Sequence, residues 1–126
     1  MTTMHKGIPL PPYDPVQALA LASGKAEIRD RILSGVLTFL APDSEIAPLL
    51  DSASFRTATT ERAELAHRAI TLVTQAGMPQ LTQMFRALTD ALHAGRFDEA
   101  EQLAGALPEA IRQVYEAVTT DVPGTT

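Results

Sequence analysis

The chain has 126 residues, 45% hydrophobic and 20% charged, a balance that fits one soluble globular domain and excludes a disordered chain, which needs fewer apolar side chains and more charge. A formal net charge of -5 without any run of Lys and Arg excludes nucleic-acid binding through phosphate contacts, which needs clustered cations to displace counterions. The absence of cysteine excludes disulfides, thiol catalysis and thiolate zinc sites together.

The opening stretch MTTMHKGIPLPPY holds three prolines and one glycine and reads as a flexible arm over residues 1–12. It lacks the apolar stretch of about 7–15 residues that a secretory signal requires, and no window approaches the ~20 apolar residues of a membrane span. A cytoplasmic protein with no membrane partner is the expectation. Asp14 offers a capping side chain and Pro15 suits a first helical position, so DPVQALALAS is expected as a short helix closed by Gly24. In KAEIRDRILSGVLTFLA the residues Ile28, Ile32, Val36, Phe39 and Leu40 recur at helical spacing and are expected to form a buried stripe. Pro42 breaks that pattern, after which SEIAPLLD resumes a turn or two of helix with Ser44 as its cap.

SASFRTATT is a polar connection, and Thr60 can cap the helix ERAELAHRAITLVTQA, which Gly77 stops. Pro79 opens PQLTQMFRALTDALHA, whose Leu81, Met84, Phe85, Leu88 and Leu92 share a face before Gly95 ends it. The last helix, FDEAEQLAGALPEAIRQVYEAV, aligns Leu103, Leu107, Ile111, Val114 and Val118 and carries Pro108, where a kink is expected. Residues 120–126 read as a disordered tail. No strand-like alternation appears, so the chain is expected to be all-α, an antiparallel four-helix bundle with a short leading helix.

His67 stands out among three histidines. At about 100° per residue, Leu65, Ala66, Ala69, Leu72 and Val73 fall in one sector and His67 lies nearly opposite. It is expected at the surface, with Ala63, Glu64, Ile70, Thr71 and Thr74 as neighbours one or two turns away. Glu64 and Arg68 are placed for an i,i+4 ion pair. Ile70 puts a branched apolar group on that face and suggests a docking surface. His5 belongs to the arm, and His93, in the last turn of its helix, suits a capping role. No pair of histidines has i,i+3 or i,i+4 spacing, so no metal site is expected.

Gly77 and Leu81 follow His67 at ten and fourteen residues, Leu88 and Gly95 lie further on, and YDPVQALALASGKAEIRDRILSGVLTFLAPD precedes it. In these features the chain resembles the histidine-containing phosphotransfer (HPt) family across residues 13–119. That family usually has Lys and Gly three and four residues after its histidine; here Ile70 and Thr71 stand in their places.

The resemblance implies an HPt-like bundle in which His67 accepts and donates a phosphoryl group. The partner would be a response-regulator receiver domain, a hybrid sensor histidine kinase, or both. Ala63, Glu64, Arg68, Ile70, Thr71 and Thr74 would form the receiver-docking face. The chain would carry no cofactor of its own, Mg²⁺ belonging to the receiver, and would be a phosphoryl carrier more than an independent catalyst. Since Ile70 cannot compensate charge and Thr71 takes up space beside the imidazole, transfer is expected to be slow or lost. In the second case the chain would be a degenerate adaptor that binds a receiver or kinase without carrying phosphate. A reading of another class, a helical peptide-binding or chaperone module, comes from ALHAGRFDEAEQLAGAL, which resembles one tetratricopeptide-type hairpin. Repeats of that kind need about three copies, and no second copy is present.

Overall fold

The computed structural model describes residues 10–122, and among these the chain is helical with no strand. The helices are α1 (Pro15–Leu21), α2 (Ala26–Leu40), α3 (Ala47–Leu50), α4 (Thr59–Gln75), α5 (Pro79–His93) and α6 (Phe97–Asp121), with a 3₁₀ turn over Ser52–Ser54 between α3 and α4. His5, most of the expected arm and the last four residues of the expected tail lie outside the described residues.

Local chemistry explains most of the boundaries. Asp14 accepts the amide of Gln17 at 3.1 Å and Pro15 occupies the first turn of α1, as expected. α2 stops at Leu40 because Ala41, which precedes Pro42, is extended, the conformation that a following proline enforces. Ser44 does not cap α3. Its hydroxyl donates backward to the carbonyls of Phe39 at 2.6 Å and Ala41 at 2.7 Å, satisfying acceptors that the end of α2 leaves open. α4 begins at Thr59 rather than after Thr60, because the preceding turn is already bonded: the amide of Ala58 reaches the carbonyl of Ser54 at 2.8 Å.

The α4–α5 turn is a Schellman closure. Gly77 has φ +70, the amide of Met78 donates to Val73 at 3.1 Å, and the amide of Gly77 to Thr74 at 3.4 Å. Gly95 closes α5 in the same way, with Arg96 donating to Ala91 at 2.8 Å. α6 is not divided at Pro108. An exposed proline in mid-helix forfeits its own amide bond, and here the helix continues through it.

α4 and α5 fold back on each other and share the largest interhelical contact, and α6 packs next against α5. Phe55, Phe85, Leu33, Leu40, Ile46, Leu49, Leu81 and Leu88 are fully buried between the helices. On α2 the buried set is Leu33, Val36, Leu37, Phe39 and Leu40, while Ile32 is half-buried and Ile28 is exposed. The expected stripe drifts at its start because steps of four residues advance about 40° each, which carries Ile28 off the arc occupied by Leu33, Val36, Leu37 and Leu40. Tyr115 of α6 donates its hydroxyl to the carbonyl of Leu37 and ties α6 to α2.

The segment before α1 is anchored across the end of the molecule. Its amide at Asp14 donates to Gly77 at 2.8 Å, its carbonyl at Pro11 accepts from Gln80 at 3.2 Å, and the buried Tyr13 donates its hydroxyl to Asp121 at 3.0 Å. Of the expected arm, Pro11 is thus tied to α5 through its carbonyl. At the other terminus α6 reaches Asp121 and Val122 is buried, so the expected tail begins later than residue 120.

Candidate functional site

His67 lies in the middle of α4, exposed, and its imidazole makes no hydrogen bond or ion pair with any described residue. The buried residues of α4 are Ala63, Ala66, Ala69 and Val73, with Ala76 just beyond its end. Four of these five are alanines, small enough to let a neighbouring helix approach closely. Leu65 and Leu72, expected in the core, are half-buried at its margin. The buried stripe is therefore turned about 40° round the helix axis from the expected one, and His67 sits about 120° from its centre. The histidine is on the shoulder of α4 beside a seam with α5, and Thr71 is closer to the outermost line.

Not all of the expected surface neighbours are at the surface. Glu64, Arg68, Thr71 and Thr74 are exposed. Ala63 is 2% exposed and belongs to the core, so it cannot be part of a docking face. Ile70, expected as an exposed apolar contact, is half-buried and packs against the core, because the turned stripe brings it to the buried side. The expected Glu64–Arg68 pair is not formed. Arg68 donates instead to Glu45, in the α2–α3 connection, at 2.9 Å, with both side chains more than half exposed.

The α5 side of the seam contributes residues that the motif did not single out. Near the turn, the hydroxyls of Thr74 and Thr82 are 3.4 Å apart. Further along, Glu64 and His93 line one shallow depression with Thr59, Thr60 and Leu92. These two cross-contacts bracket the face of the hairpin that carries His67. Thr82, Arg86, Thr89 and His93, at steps of three and four, run along α5 between them, and that periodicity is the signal that could have found them. Thr89 is buried and its hydroxyl donates to the carbonyl of Phe85 at 2.8 Å. His93 is exposed and makes no capping hydrogen bond with described residues.

Two tyrosines away from this face have perturbed phenols. Tyr13 is pushed up to about 12, first by burial and then by its hydrogen bond to Asp121. Tyr115 is raised by burial and by the negative charge of Asp43. On exposed α6, Arg112 clamps Glu109 at 2.7 Å and Glu116 at 2.8 Å, which holds the Glu109 carboxyl below its usual range. Among the described residues no cluster of three or more His, Asp and Glu could hold a metal ion, and no helix is long and apolar enough to cross a membrane. Comparison of the chain with family models, curated proteins and solved structures found no match.

Proposed function

We propose that the chain is a histidine phosphotransfer protein of a two-component relay, in which His67 accepts a phosphoryl group from a receiver-domain aspartate and passes it on. The observation that carries this reading is the exposed imidazole of His67 in mid-helix on α4, without a partner among the described residues. In this reading α2, α4, α5 and α6 form an antiparallel four-helix bundle. α1 and the anchored segment before it lie across the end nearest Gly77, leaving the His67 shoulder open to a docking domain.

The chemistry asks little of the chain itself. A lone pair on one imidazole nitrogen attacks phosphorus; the N–P bond forms as the P–O bond to the aspartyl carboxylate breaks, and the electron pair leaves with that carboxylate. Positioning and charge compensation are the main requirements. An exposed ring on a rigid helix meets the first. Mg²⁺ belongs to the receiver in this scheme and contributes to the second.

Incubation with a phosphorylated receiver, followed by measurement of acid-labile phosphate, tests the reading. Wild type should take up label and His67→Gln none. A second reading, a docking adaptor that carries no phosphate, is favoured by one observation: the nearest arginine in sequence, Arg68, is paired with Glu45, and Ile70 and Thr71 add no charge. Receiver binding by wild type and His67→Gln alike, with label on neither, is the outcome expected of the adaptor.

A further inference from the structure

A phosphoryl group on an imidazole brings close to two negative charges to the surface of α4. The immediate surroundings of His67 add more of the same sign. Glu64 is exposed one turn before it. Arg68 is engaged with Glu45 at 2.9 Å. Most of the remaining described arginines are also engaged: Arg29 with Asp30, Arg56 with Asp98, Arg62 with Ser54, Arg96 with Glu99 and Arg112 with Glu109. Among the described arginines, Arg31 and Arg86 alone have side chains with neither a hydrogen bond nor an ion pair. Arg31 is on α2; Arg86 is on α5, on the seam with α4.

The two cross-contacts along that seam place Arg86. Thr74 meets Thr82 beside the turn, and Glu64 shares a depression with His93 at the far end. In an antiparallel pair, each step toward the start of α4 matches one toward the end of α5. Arg86 is one turn beyond Thr82 and therefore stands across from Ile70 and Thr71, one turn before Thr74. By the same register Thr89 and Asp90 stand across from His67. Arg86 also lines a groove with Thr74 of α4, Thr82 of α5, and Leu10 and Gln17 from the N-terminal segment and α1, which puts it on the side of α5 that meets α4 near the turn. The axial offset between His67 and Ile70 is about 4.5 Å and helix axes in contact are 8–10 Å apart, a span that an extended arginine side chain covers.

We propose that Arg86, reaching from the neighbouring helix, is the cation that meets the phosphoryl group on His67. The inference rests on the reading of His67 as a phosphoryl acceptor. A guanidinium keeps its charge at any working pH and offers a planar fork of donors that matches two phosphate oxygens. Among the described residues Arg86 has no ion pair to give up in order to do so.

Potassium phosphoramidate is the probe, because it needs no partner protein: the imidazole nitrogen forms the N–P bond as the phosphoramidate P–N bond breaks and ammonia leaves with its electron pair. Phosphohistidine at His67 is followed by phosphorus NMR and located by mass spectrometry. Arg86→Ala should slow its formation roughly fivefold, the size of an exposed charge pair, and Arg86→Lys should recover most of the rate. Arg31→Ala, at the other described arginine whose side chain has no partner, should leave it unchanged, and all three variants should melt like wild type. Equal rates for wild type and Arg86→Ala would overturn the assignment of Arg86 while leaving His67 as acceptor. A wild-type His67 that stays unlabelled while free histidine reacts would overturn both.

Discussion

Replacing Gly77 by alanine tests the docking of the N-terminal segment, because two separable costs meet at that residue. The first is conformational: Gly77 has φ +70, where an L side chain costs about 1–2 kcal/mol. The second is steric. A Cβ there would lie 3.0 Å from the amide nitrogen of Ala18, 3.0 Å from the carbonyl oxygen of Asp14 and 3.1 Å from the Cα of Ala18. These are backbone atoms of α1 and its cap, so the segment must move as a unit, at a cost of about 1–3 kcal/mol for overpacking. Gly95 supplies the control, since it has φ +73 and nothing within 4 Å of an added Cβ. Gly95→Ala should therefore lose only the first amount, and Gly77→Ala should exceed it by about 1–3 kcal/mol. At a urea dependence of about 1–3 kcal/mol per molar for a small protein, the two midpoints should differ by roughly 1 M. The amide of Asp14, bonded to the carbonyl of Gly77 at 2.8 Å, should also exchange faster in Gly77→Ala than in Gly95→Ala. Equal midpoints and equal exchange would refute the claim that the α4–α5 turn is a docking seat for the chain before α1.

The phenol of Tyr13 makes stability depend on alkaline pH. Because its folded pKa is raised from 10.0 to about 12, the stabilisation is fully present below pH 10 and is lost as pH rises toward 12. The loss should amount to about 1–2 kcal/mol. Tyr13→Phe should flatten that decline in urea titrations without abolishing it, since Tyr115 is raised in the same direction; an unchanged profile would contradict the assignment. Arg68→Ala breaks only an exposed pair with Glu45 and should change stability by less than about 1 kcal/mol. A larger loss in thermal or urea melts would mean that the α2–α3 connection depends on that contact.

The difference between expectation and structure around His67 has a simple origin. A helical wheel weights residues by hydrophobicity, so Leu65 and Leu72 drew the expected core toward themselves. Packing weights them also by size: Ala63, Ala66 and Ala69 allow close approach, and the helix turns until they face its neighbours. That turn carries Ala63 and Ile70 inward and brings His67 to the edge of the α4–α5 seam. Arg86 was unreadable as part of the site for a related reason. It lies nineteen residues after His67, and only the register of two packed helices relates the two positions.

Residue order alone determined the helical character of the chain, the helix stops at Gly77 and Gly95, the Asp14–Pro15 start and the solvent exposure of His67, because periodicity, capping and turn chemistry act over a few neighbouring positions. Tertiary packing decided which arc of α4 is buried, that Arg68 pairs with Glu45 rather than Glu64, that Ser44 closes the helix before it, and that Pro11, Tyr13 and Asp14 are anchored to Gln80, Asp121 and Gly77. Those outcomes depend on contacts between residues far apart along the chain, whose distance and direction exist only once the helices have packed.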